Sequence, residues 1–358
     1  MSVQPSQQYE SLTDYSEYHY SKSAFQAVAP KNIDELEQVL SEAHQRQQRI
    51  RLRARHHSMN GSSLPKNSDE LLVYTTRLNH YCFEKEGTIT VGTGAAILEV
   101  DQFLRRRNFR LRLTSDGGFP APSVGGFVSA GGIGEATHEV GGFWETVREI
   151  RYFEVDGTAH LTRPGDMLFS WLFGSMGQLV VVSEVVLDIV PLEPSHASAY
   201  PLDESGVILH TPHNWERNYW LTFFIPEEEN ESAMATLKAF GDQFDDCWTR
   251  REDYLYPIPF KTFHPPLIFP RAINMSGAGV WGSTPVEGRF DFDKLKKIEA
   301  AADELHRSQP TWNRYIQTEM SFTPRDWSAI FGQDTFRTFQ ALKKELDPEY
   351  RLNPGLID

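Results

Sequence analysis

Residues 51–63, Arg-Leu-Arg-Ala-Arg-His-His-Ser-Met-Asn-Gly-Ser-Ser, constrain the fold of this chain more than any other stretch. Residues 51–54 alternate large polar with apolar side chains, which is typical of a half-buried strand. Residues 60–63 are small, so they can turn and leave main-chain N–H groups pointing at a ligand. A strand that runs into such a turn suits a diphosphate, because N–H groups supply positive potential without bulky side chains. A basic surface turn is the alternative interpretation.

Length, charge and cysteine content narrow the class of protein. A chain of 358 residues is long enough for two domains and a large core. Its net charge of −14 argues against a nucleic-acid or anionic-membrane partner. Cys82 and Cys247 are far apart in sequence, so they predict neither a disulfide framework nor a cysteine metal site. The first twenty residues lack the basic start and apolar core of a signal peptide, and no apolar run reaches membrane-span length, which favours a cytoplasmic location.

Hydrophobic periodicity predicts helices and strands along the whole chain. Asn32, with Glu35 three residues later, predicts a helix start of the capping-box kind. Further predicted helices contain residues 95–104, 164–173, 234–240, 295–305 and 336–346. Predicted strands cover residues 50–54, 71–74, 88–91, 109–113, 147–155, 159–162, 178–190, 219–225 and 314–322. Asp156-Gly157 predicts a hairpin turn before the strand at 159–162. Residues 254–270 are rich in proline and aromatic side chains, and a change of composition around 191–205 predicts a domain boundary.

A second unusual stretch, residues 114–143, contains nine glycines. Glycine is costly in an ordered backbone, so this density indicates that the main chain approaches something closely. A flexible linker is the alternative, but Phe119, Phe127, Val128 and Ile133 are interleaved, which Gly/Ser linkers do not show. The stretch is not a dinucleotide-binding Gly-x-Gly-x-x-Gly fingerprint, because no such triplet follows a strand and opens a helix.

The first of these stretches resembles the Arg-Gly-x-Gly-His-Ser loop of the vanillyl-alcohol-oxidase superfamily, whose FAD-binding domain is of the p-cresol-methylhydroxylase (PCMH) type. Its version in cytokinin dehydrogenases is the most similar. The resemblance implies that FAD is bound covalently through His57. Ala54 and His56 replace the two glycines of the pattern, which crowds the approach to the pyrophosphate. The resemblance assigns FAD contacts to Arg53, Ala54, Arg55, His56, His57, Ser58, Gly61 and Ser62.

Three further segments resemble the same superfamily, in the same order. Residues 123–133 are similar to its Thr-Val-Gly-Gly-x-x-Ser-x-x-Gly segment, and residues 174–183 to its Gly-x-x-Gly-Gln-Phe-Gly-Ile-Ile-Thr segment, with Val180 in place of glycine. Residues 347–355 resemble its Asp-Pro-x-x-x-Leu-Asn-Pro-Gly ending. The cofactor contacts that these segments imply are Asp116, Ser123, Val124, Gly125, Gly126, Ser129, Gly132, Ile133, Val181 and Asn353.

The resemblance also implies the architecture. We expect an α+β protein with a two-subdomain PCMH-type FAD-binding domain at residues 1–195 plus 326–358. A smaller α+β substrate domain, or cap domain, at residues 196–325 is expected to be inserted before the C-terminal segment. The middle part is shorter than expected for a substrate domain of this superfamily and matches no single branch of it.

Two carboxylates are candidates for the base that takes a proton from the substrate as hydride leaves. Asp116 resembles the aspartate of the cytokinin dehydrogenase pattern Thr-Asp-x-x-x-x-Thr-Val-Gly-Gly, although its spacing to Val-Gly-Gly is two residues longer. An ordinary Asp-Gly turn is the alternative. Glu319 lies in a Gln-Thr-Glu-Met stretch similar to the Gln-Ser-Glu-Tyr stretch of sugar-alcohol oxidases, and a solvated strand face is the alternative there.

Three functions remain open at this point. The resemblance implies an FAD-dependent oxidase or dehydrogenase that oxidises a small alcohol, lactol or amine and passes electrons to molecular oxygen or another acceptor. A flavoenzyme of oxidative tailoring or cyclisation in a biosynthetic pathway is the second hypothesis, and a non-catalytic flavin-binding protein is the third. A metal site at His56 and His57 is not expected, because adjacent side chains point apart and no third ligand keeps the required spacing.

Overall fold

The computed structural model describes residues 6–8, 12–16, 19–21, 25–83, 87–115, 121–134, 136–193, 216–259, 274–285, 292–316 and 324–356. The strands in these ranges are β1 (Ser6–Gln8), β2 (Leu12–Thr13), β3 (Tyr20–Ser21), β4 (Phe25–Val28), β5 (Arg49–Arg53), β6 (Glu70–Tyr74), β7 (Tyr81–Phe83), β8 (Thr88–Gly92), β9 (Phe109–Leu111), β10 (Val147–Phe153), β11 (Ala159–Thr162), β12 (Val181–Pro191), β13 (Glu216–Pro226), β14 (Arg250–Pro259), β15 (Asn274–Pro285) and β16 (Asn313–Arg314). The helices are α1 (Ile33–Gln45), α2 (Ile97–Arg105), α3 (Val124–Ala130), α4 (Thr137–Val140), α5 (Met167–Leu172), α6 (Asn230–Asp242), α7 (Phe292–Ser308), α8 (Pro324–Phe331) and α9 (Gln333–Leu346).

The first sheet has the strand order β1-β4-β6-β5, in which β6 is parallel to both β4 and β5. Helix α1 connects β4 to β5, which run parallel on either side of β6, and parallel strands need such a crossover connection. The side chain of Asn32 caps this helix by accepting from the N–H of Glu35 at 2.8 Å, which confirms the predicted start. Leu36 and Leu40 on its inner face are fully buried against this sheet. This packing fixes β5, the strand that leads into the loop of residues 54–58.

The second sheet is antiparallel, with the order β11-β10-β12-β8-β7. Its central strand, β12, pairs with β10 and β8 and is buried along most of its length, as a long apolar strand predicts. The predicted hairpin at Asp156-Gly157 is confirmed, because β10 and β11 pair across it. The largest apolar core of the described chain lies on this sheet and includes side chains from α2, α3, α5, α8 and α9.

The third sheet, β14-β15-β13-β16, is also antiparallel and has a core of its own. Helices α6 and α7 supply Leu237, Ile298 and Ala302 to that core, where they meet buried side chains of β13. Two of its strands differ from the sequence-based prediction: residues 250–259 and 274–285 form β14 and β15 rather than an irregular proline-rich segment and unassigned chain. Of the predicted strand at 314–322, residues 313 and 314 are in β16, and residues 317–323 lie outside the described ranges.

The C-terminal tail returns to the first sheet, beside the strand that leads into the 54–58 loop. Leu352 forms a parallel bridge with Ile50, and the main chain of Ile50 is bonded to Arg351 and Asn353, each at 2.8 Å. The buried ammonium of Lys343 in α9 donates to Asp347 at 2.6 Å, to the carbonyl of Leu352 at 2.8 Å and to that of Gln178 at 2.8 Å. Strand β5 and the chain before β12 are thereby joined through the tail.

The mixture of helices with parallel and antiparallel sheets confirms the α+β class. The domain limits at 195 and 326 and the two-subdomain arrangement stay predictions. None of the described helices combines the length and the apolar character that a membrane crossing requires.

Candidate functional site

In the loop that follows β5, several main-chain N–H groups donate no hydrogen bond to any described residue. His56, at the position of a family glycine, has a φ of +40°, in the left-handed region that favours glycine. Main-chain N–H groups that donate no hydrogen bond within the described part of the chain are found at Ala54, Arg55, His56 and Ser58. Successive N–H groups around a left-handed residue form a concavity that attracts anions. The loop can therefore hold a phosphate through its backbone.

Two arginines and two histidines surround this concavity. Arg53 is buried and donates to Ser63 at 3.2 Å and to the carbonyl of Thr13 at 2.7 Å. Burial lowers the pKa of Arg53, while Tyr74 and Asp14 act in the opposite direction. Arg55 pairs with Glu99 at 3.0 Å on the rim of the loop. The charge of the two guanidinium groups adds to the potential of the N–H groups.

The two adjacent histidines have different surroundings. His56 is exposed, and its pKa is lowered because the surrounding protein reduces its hydration and Arg53 places a like charge nearby. His57 is half-buried, and its ring lies 4.6 Å from the ring of Tyr15 at an interplanar angle of 41°. At the pH of the cell, His56 is therefore biased to the neutral form, and His57 is held against an aromatic ring.

Helix α3 forms the second wall of the site. Ser123 caps it by accepting from the N–H of Gly126 at 3.1 Å, while the N–H of Val124 donates to Ala95 and that of Gly125 to Thr93. A Cβ at Gly125 would lie 1.8 Å from Oγ1 of Thr93, so glycine there allows α3 to approach the chain before α2. The first donors of this helix are used inside the protein, and α3 meets the site through the side of the helix.

The third wall comes from residues 176 and 177 together with the C-terminal tail. The side chain of Asn353 accepts from the N–H of Leu52 at 2.8 Å and donates to the carbonyls of Met176 and Gly177 at 2.9 and 3.0 Å. Gly177 has a φ of +65°, and a Cβ there would lie 2.9 Å from the amide nitrogen of Asn353. Both hydrogens and the oxygen of the Asn353 amide are thus engaged in joining β5, the tail and this turn.

These three walls enclose an open cleft with about 920 Å³ of empty space, its mouth included. Twelve of the residues predicted to bind the cofactor line it together: Arg53, Ala54, Arg55, His56, His57, Ser58, Ser62, Ser123, Gly125, Gly126, Ser129 and Asn353. The sequence analysis missed eleven lining residues: Leu52, Ser63, Thr75, Thr93, Pro122, Phe127, Ala130, Met176, Gly177, Val180 and Val182. The alternation of a strand could have indicated Val180 and Val182 as a pair, since side chains two apart share a face.

Five predicted cofactor residues do not line the cleft in the structure. Val181 is fully buried in the core beneath the first sheet, because alternation turns it away from the side that Val180 and Val182 present. Val124 and Ile133 belong to the core of the second sheet. Gly61 packs against His19 behind the loop, and Gly132 packs against the ring of Phe127. Their contribution in the structure is to the packing behind the walls.

The two predicted catalytic carboxylates, Asp116 and Glu319, lie outside the described residues. The described chain before Asp116 ends at Ser115, which is buried. The chain before Glu319 ends at Ile316, whose carbonyl accepts a hydrogen bond from the side chain of Asn60 in the stretch that follows the loop. The chain that follows β16 therefore contacts the stretch that follows the loop, and both proton-acceptor assignments stay predictions.

The donor set of the cleft fits the parts of a flavin dinucleotide. Unused N–H groups with nearby guanidinium groups suit a diphosphate, and apolar side chains on the other walls suit a flat ring system. Residues 26–163 match the family model described as an FAD binding domain. No curated protein matches the chain. The matched segment contains β5, the 54–58 loop and α3, two of the three walls, and this segment is an FAD-binding domain of the PCMH-type family.

Proposed function

We propose that this protein is an FAD-dependent oxidoreductase that oxidises a small organic substrate, an alcohol, a lactol or an amine. The observation that carries the proposal is the loop of residues 54–58, which lines a cleft and in which the N–H groups of Ala54, Arg55, His56 and Ser58 donate no hydrogen bond within the described part of the chain. Two of the three walls of this cleft lie in the segment that matches an FAD-binding domain. When bound there, FAD would supply a two-electron acceptor for hydride from the substrate, and molecular oxygen or another acceptor would then take the electrons.

The described residues provide binding and orientation for this chemistry. The N–H groups of Ala54, Arg55 and His56 would hold the diphosphate, with the charge of Arg53 beneath them. The apolar wall formed by Val180 and Val182 would exclude water from one side of the ring system. Arg53 is held by hydrogen bonds, and Val180 and Val182 are held by core packing, before the ligand arrives, which lowers the entropy cost of ordering these side chains on binding.

His57 is the proposed point of covalent attachment of the flavin. His57 lines the cleft and is half-buried, which supports this assignment. The contact with Tyr15 restricts the rotation of that ring. Asp116 and Glu319 are the proposed proton acceptors at the substrate, because oxidation of an O–H or N–H-bearing carbon needs a base.

The first test is the fate of flavin colour in the purified protein after precipitation with acid. We expect a flavin spectrum whose absorbance stays with the denatured chain in the wild type and passes to the supernatant in His57→Ala. His138→Ala is the matched control, because His138 is an exposed histidine that does not line the cleft. Colour that stays with the His57→Ala chain would remove the attachment site from the proposal.

The second test is turnover. A panel of alcohols, lactols and amines is added anaerobically, and flavin bleaching is followed before and after oxygen is admitted. Reduction by one class identifies the substrate chemistry, and the rate of reoxidation separates an oxidase from a dehydrogenase. A protein that takes up no FAD at all would overturn the proposed function, whereas bound flavin that no substrate reduces would leave a binding protein.

A further inference from the structure

The N-terminal segment, outside the residues that match the family, is attached to the back of the cofactor loop. We define the N-terminal clasp as residues 12–16 and 19–21, in which β2 and β3 pair antiparallel. Its far end is tied to the chain beyond the loop, because Ser21 donates to the carbonyl of Pro65 at 2.9 Å. The clasp thus contacts the chain on both sides of the loop.

Asp14 fixes the turn at Gly61. Its carboxylate is buried, accepts from the N–H of Gly61 at 3.1 Å and from the hydroxyl of Ser16 at 2.8 Å, and lies 4.0 Å from Nε2 of His19. Gly61 has a φ of +68°, and a Cβ there would lie 3.0 Å from His19. A buried carboxylate that holds a main-chain N–H in this way is costly to remove, because the N–H is then left without its acceptor.

Tyr15 and Thr13 hold the opposite end of the same loop. The N–H of Tyr15 donates to the carbonyl of Ser58 at 2.9 Å, and its ring contacts the ring of His57. The carbonyl of Thr13 accepts from the guanidinium of Arg53 at 2.7 Å. Three consecutive clasp residues therefore bind four positions of the stretch between residues 53 and 61.

The loop needs this support because its own sequence does not favour its conformation. His56 holds a left-handed backbone that costs a residue with a side chain about 1–2 kcal/mol, and Ala54 replaces the other family glycine. A strained conformation persists when the surrounding structure over-determines it. The clasp supplies such contacts at Arg53, His57, Ser58 and Gly61, on both sides of His56 in the sequence.

We infer that the N-terminal clasp is part of the flavin site, with Asp14 and Tyr15 as positioning residues that hold the loop amides and His57 toward the cofactor. The inference rests on the proposed function, in that the ligand positioned is FAD. It predicts that flavin retention depends on two residues that lie before the matched domain and do not line the cleft.

The experiment measures the amount of flavin bound per chain after gel filtration, and divides it into an acid-stable and an acid-released fraction. At each of the two positions, a disruptive variant is compared with a conservative one. Tyr15→Leu removes the ring contact, and Asp14→Ala removes the acceptor of Gly61. We expect each to lower flavin retention about tenfold, the equivalent of one lost buried hydrogen bond or ring contact. Tyr15→Phe and Asp14→Asn, which keep the ring and an acceptor oxygen, should stay within about twofold of the wild type.

Tyr20→Ala is the matched control, because Tyr20 lies in β3 of the same clasp with its side chain 50% exposed. It should retain flavin as the wild type does. If Tyr15→Leu and Asp14→Ala are folded, as judged by the melting temperature, and keep wild-type flavin, the clasp has no role in positioning and the inference is overturned. Equal losses in the conservative and disruptive variants would also overturn it.

Hydrogen exchange of the FAD-free chain separates this inference from the proposed function. In the wild type, the N–H of Gly61 is bonded to Asp14, so Asp14→Ala should speed its exchange about tenfold, while Asp14→Asn leaves it near the wild-type rate. If the wild type takes up no flavin, the proposed function fails. An unchanged exchange rate of the Gly61 N–H in Asp14→Ala would overturn the inference about the clasp, whether or not the protein binds flavin.

Discussion

The 54–58 loop and the start of helix α3 face each other across one cleft, yet they use their main-chain donors in opposite ways. In the loop, the N–H groups of Ala54, Arg55 and His56 bond to nothing in the described part of the chain. In α3, the first N–H groups are taken by Ala95, Thr93 and Ser123. Both segments resemble cofactor-binding patterns, but only the loop keeps donors available for an anion.

The difference shows what glycine does in each segment. At Gly125, the absence of a side chain allows the start of α3 to pack against Thr93, and the N–H of Gly125 donates to the carbonyl of that residue. In the loop, the residue with a left-handed backbone is His56, and its backbone strain occurs beside the N–H groups that have no acceptor in the described chain. A glycine-rich pattern therefore indicates close approach, and the partner can be the protein itself.

Loss of the buried support under the loop should have the largest effect. Arg51 donates to Glu70 at 2.8 Å, with both side chains fully buried, and also holds the carbonyl of Ser62 at 3.0 Å and that of Pro354. Arg51→Met leaves the carboxylate of Glu70 buried without its cation, so we expect a loss of about 3–5 kcal/mol in the free energy of unfolding. Urea denaturation measures this loss.

The control for Arg51→Met is on the same strand. Arg49 forms an exposed pair with Asp69 at 3.9 Å, and Arg49→Ala should change stability by less than about 1 kcal/mol. Equal losses in the free energy of unfolding from the two variants would show that strand β5 as a whole, and not the buried pair of Arg51 and Glu70, supports the loop.

Gly125→Ala should disrupt the packing of helix α3, the wall opposite the loop, against Thr93. The new Cβ would lie 1.8 Å from Oγ1 and 3.1 Å from the carbonyl oxygen of buried Thr93, so we expect overpacking to cost about 1–3 kcal/mol. Gly126→Ala is the matched control one position later, where the nearest atom is Oγ of Ser123 at 3.1 Å and the residue is exposed to the cleft.

The two glycine variants should differ in kind as well as in size. Gly126→Ala is expected to keep or raise stability, by up to about 1 kcal/mol of helix propensity, while its methyl group narrows the cleft and lowers FAD affinity. Thermal melting and FAD titration measure the two effects. Loss of stability in Gly126→Ala and none in Gly125→Ala would reverse the assigned roles.

Much of the fold was predictable where a local rule decides the structure. The cap at Asn32 and the hairpin at Asp156-Gly157 depend on residues close in sequence, and both are confirmed. Strand β14 escaped prediction because Pro257 and Pro259 argue against a strand. It pairs only with β15 in the described chain, and an edge strand tolerates proline because one side needs no ladder hydrogen bond.

Strand β15 escaped prediction for a related reason. Its glycines weaken the strand signal, but the rings of Tyr254, Tyr256 and Trp248 lie over Gly279, Gly277 and Gly282 and fill the space that side chains would occupy. Such pairs join residues that are more than twenty positions apart in the sequence. No rule for neighbours in sequence finds them.

In the candidate site, too, some features follow from residues close in sequence and others only from tertiary packing. The resemblance indicated the loop and α3, and strand alternation at the start of β12 would have indicated Val180 and Val182, which line the cleft, beside the predicted Val181, which is in the core. The contacts of Asp14 with Gly61 and of Tyr15 with His57 join segments more than forty residues apart. They arise from tertiary packing, which one sequence does not reveal.

His56→Gly should remove the backbone strain from the loop. Glycine adopts a φ of +40° without a Cβ penalty, so we expect a gain of about 1 kcal/mol in stability together with tighter non-covalent FAD binding. Gln47→Gly is the matched control, since Gln47 is exposed, has a φ of +53° and does not line the cleft. It should give a similar gain in stability with unchanged FAD affinity, and a fall in stability for His56→Gly would contradict the strain argument.

The smallest expected effect is the pH dependence contributed by Asp14. Burial raises the pKa of Asp14 above its ordinary 3.8, and His19, Ser16 and the N–H of Gly61 oppose that rise. Arg53 is a second charged group nearby. The folded chain therefore keeps a proton that the unfolded chain releases, so the wild type should lose stability relative to Asp14→Asn as the pH rises from about 4 through the folded pKa.

Glu149 on the second sheet provides the comparison of opposite sign. Burial alone would raise the pKa of Glu149, but hydrogen bonds from Arg151 and Arg163 outweigh it and the pKa is lowered. Stability that depends on Glu149 should therefore be present near neutral pH and be lost as the pH falls through its folded pKa. Urea unfolding of the wild type, Asp14→Asn and Glu149→Gln between pH 3 and 7 gives two difference curves. Difference curves of the same sign would mean that the neighbours of Asp14 stabilise its charged form, as those of Glu149 do. In that case the clasp would hold the N–H of Gly61 without the cost of burying a charge.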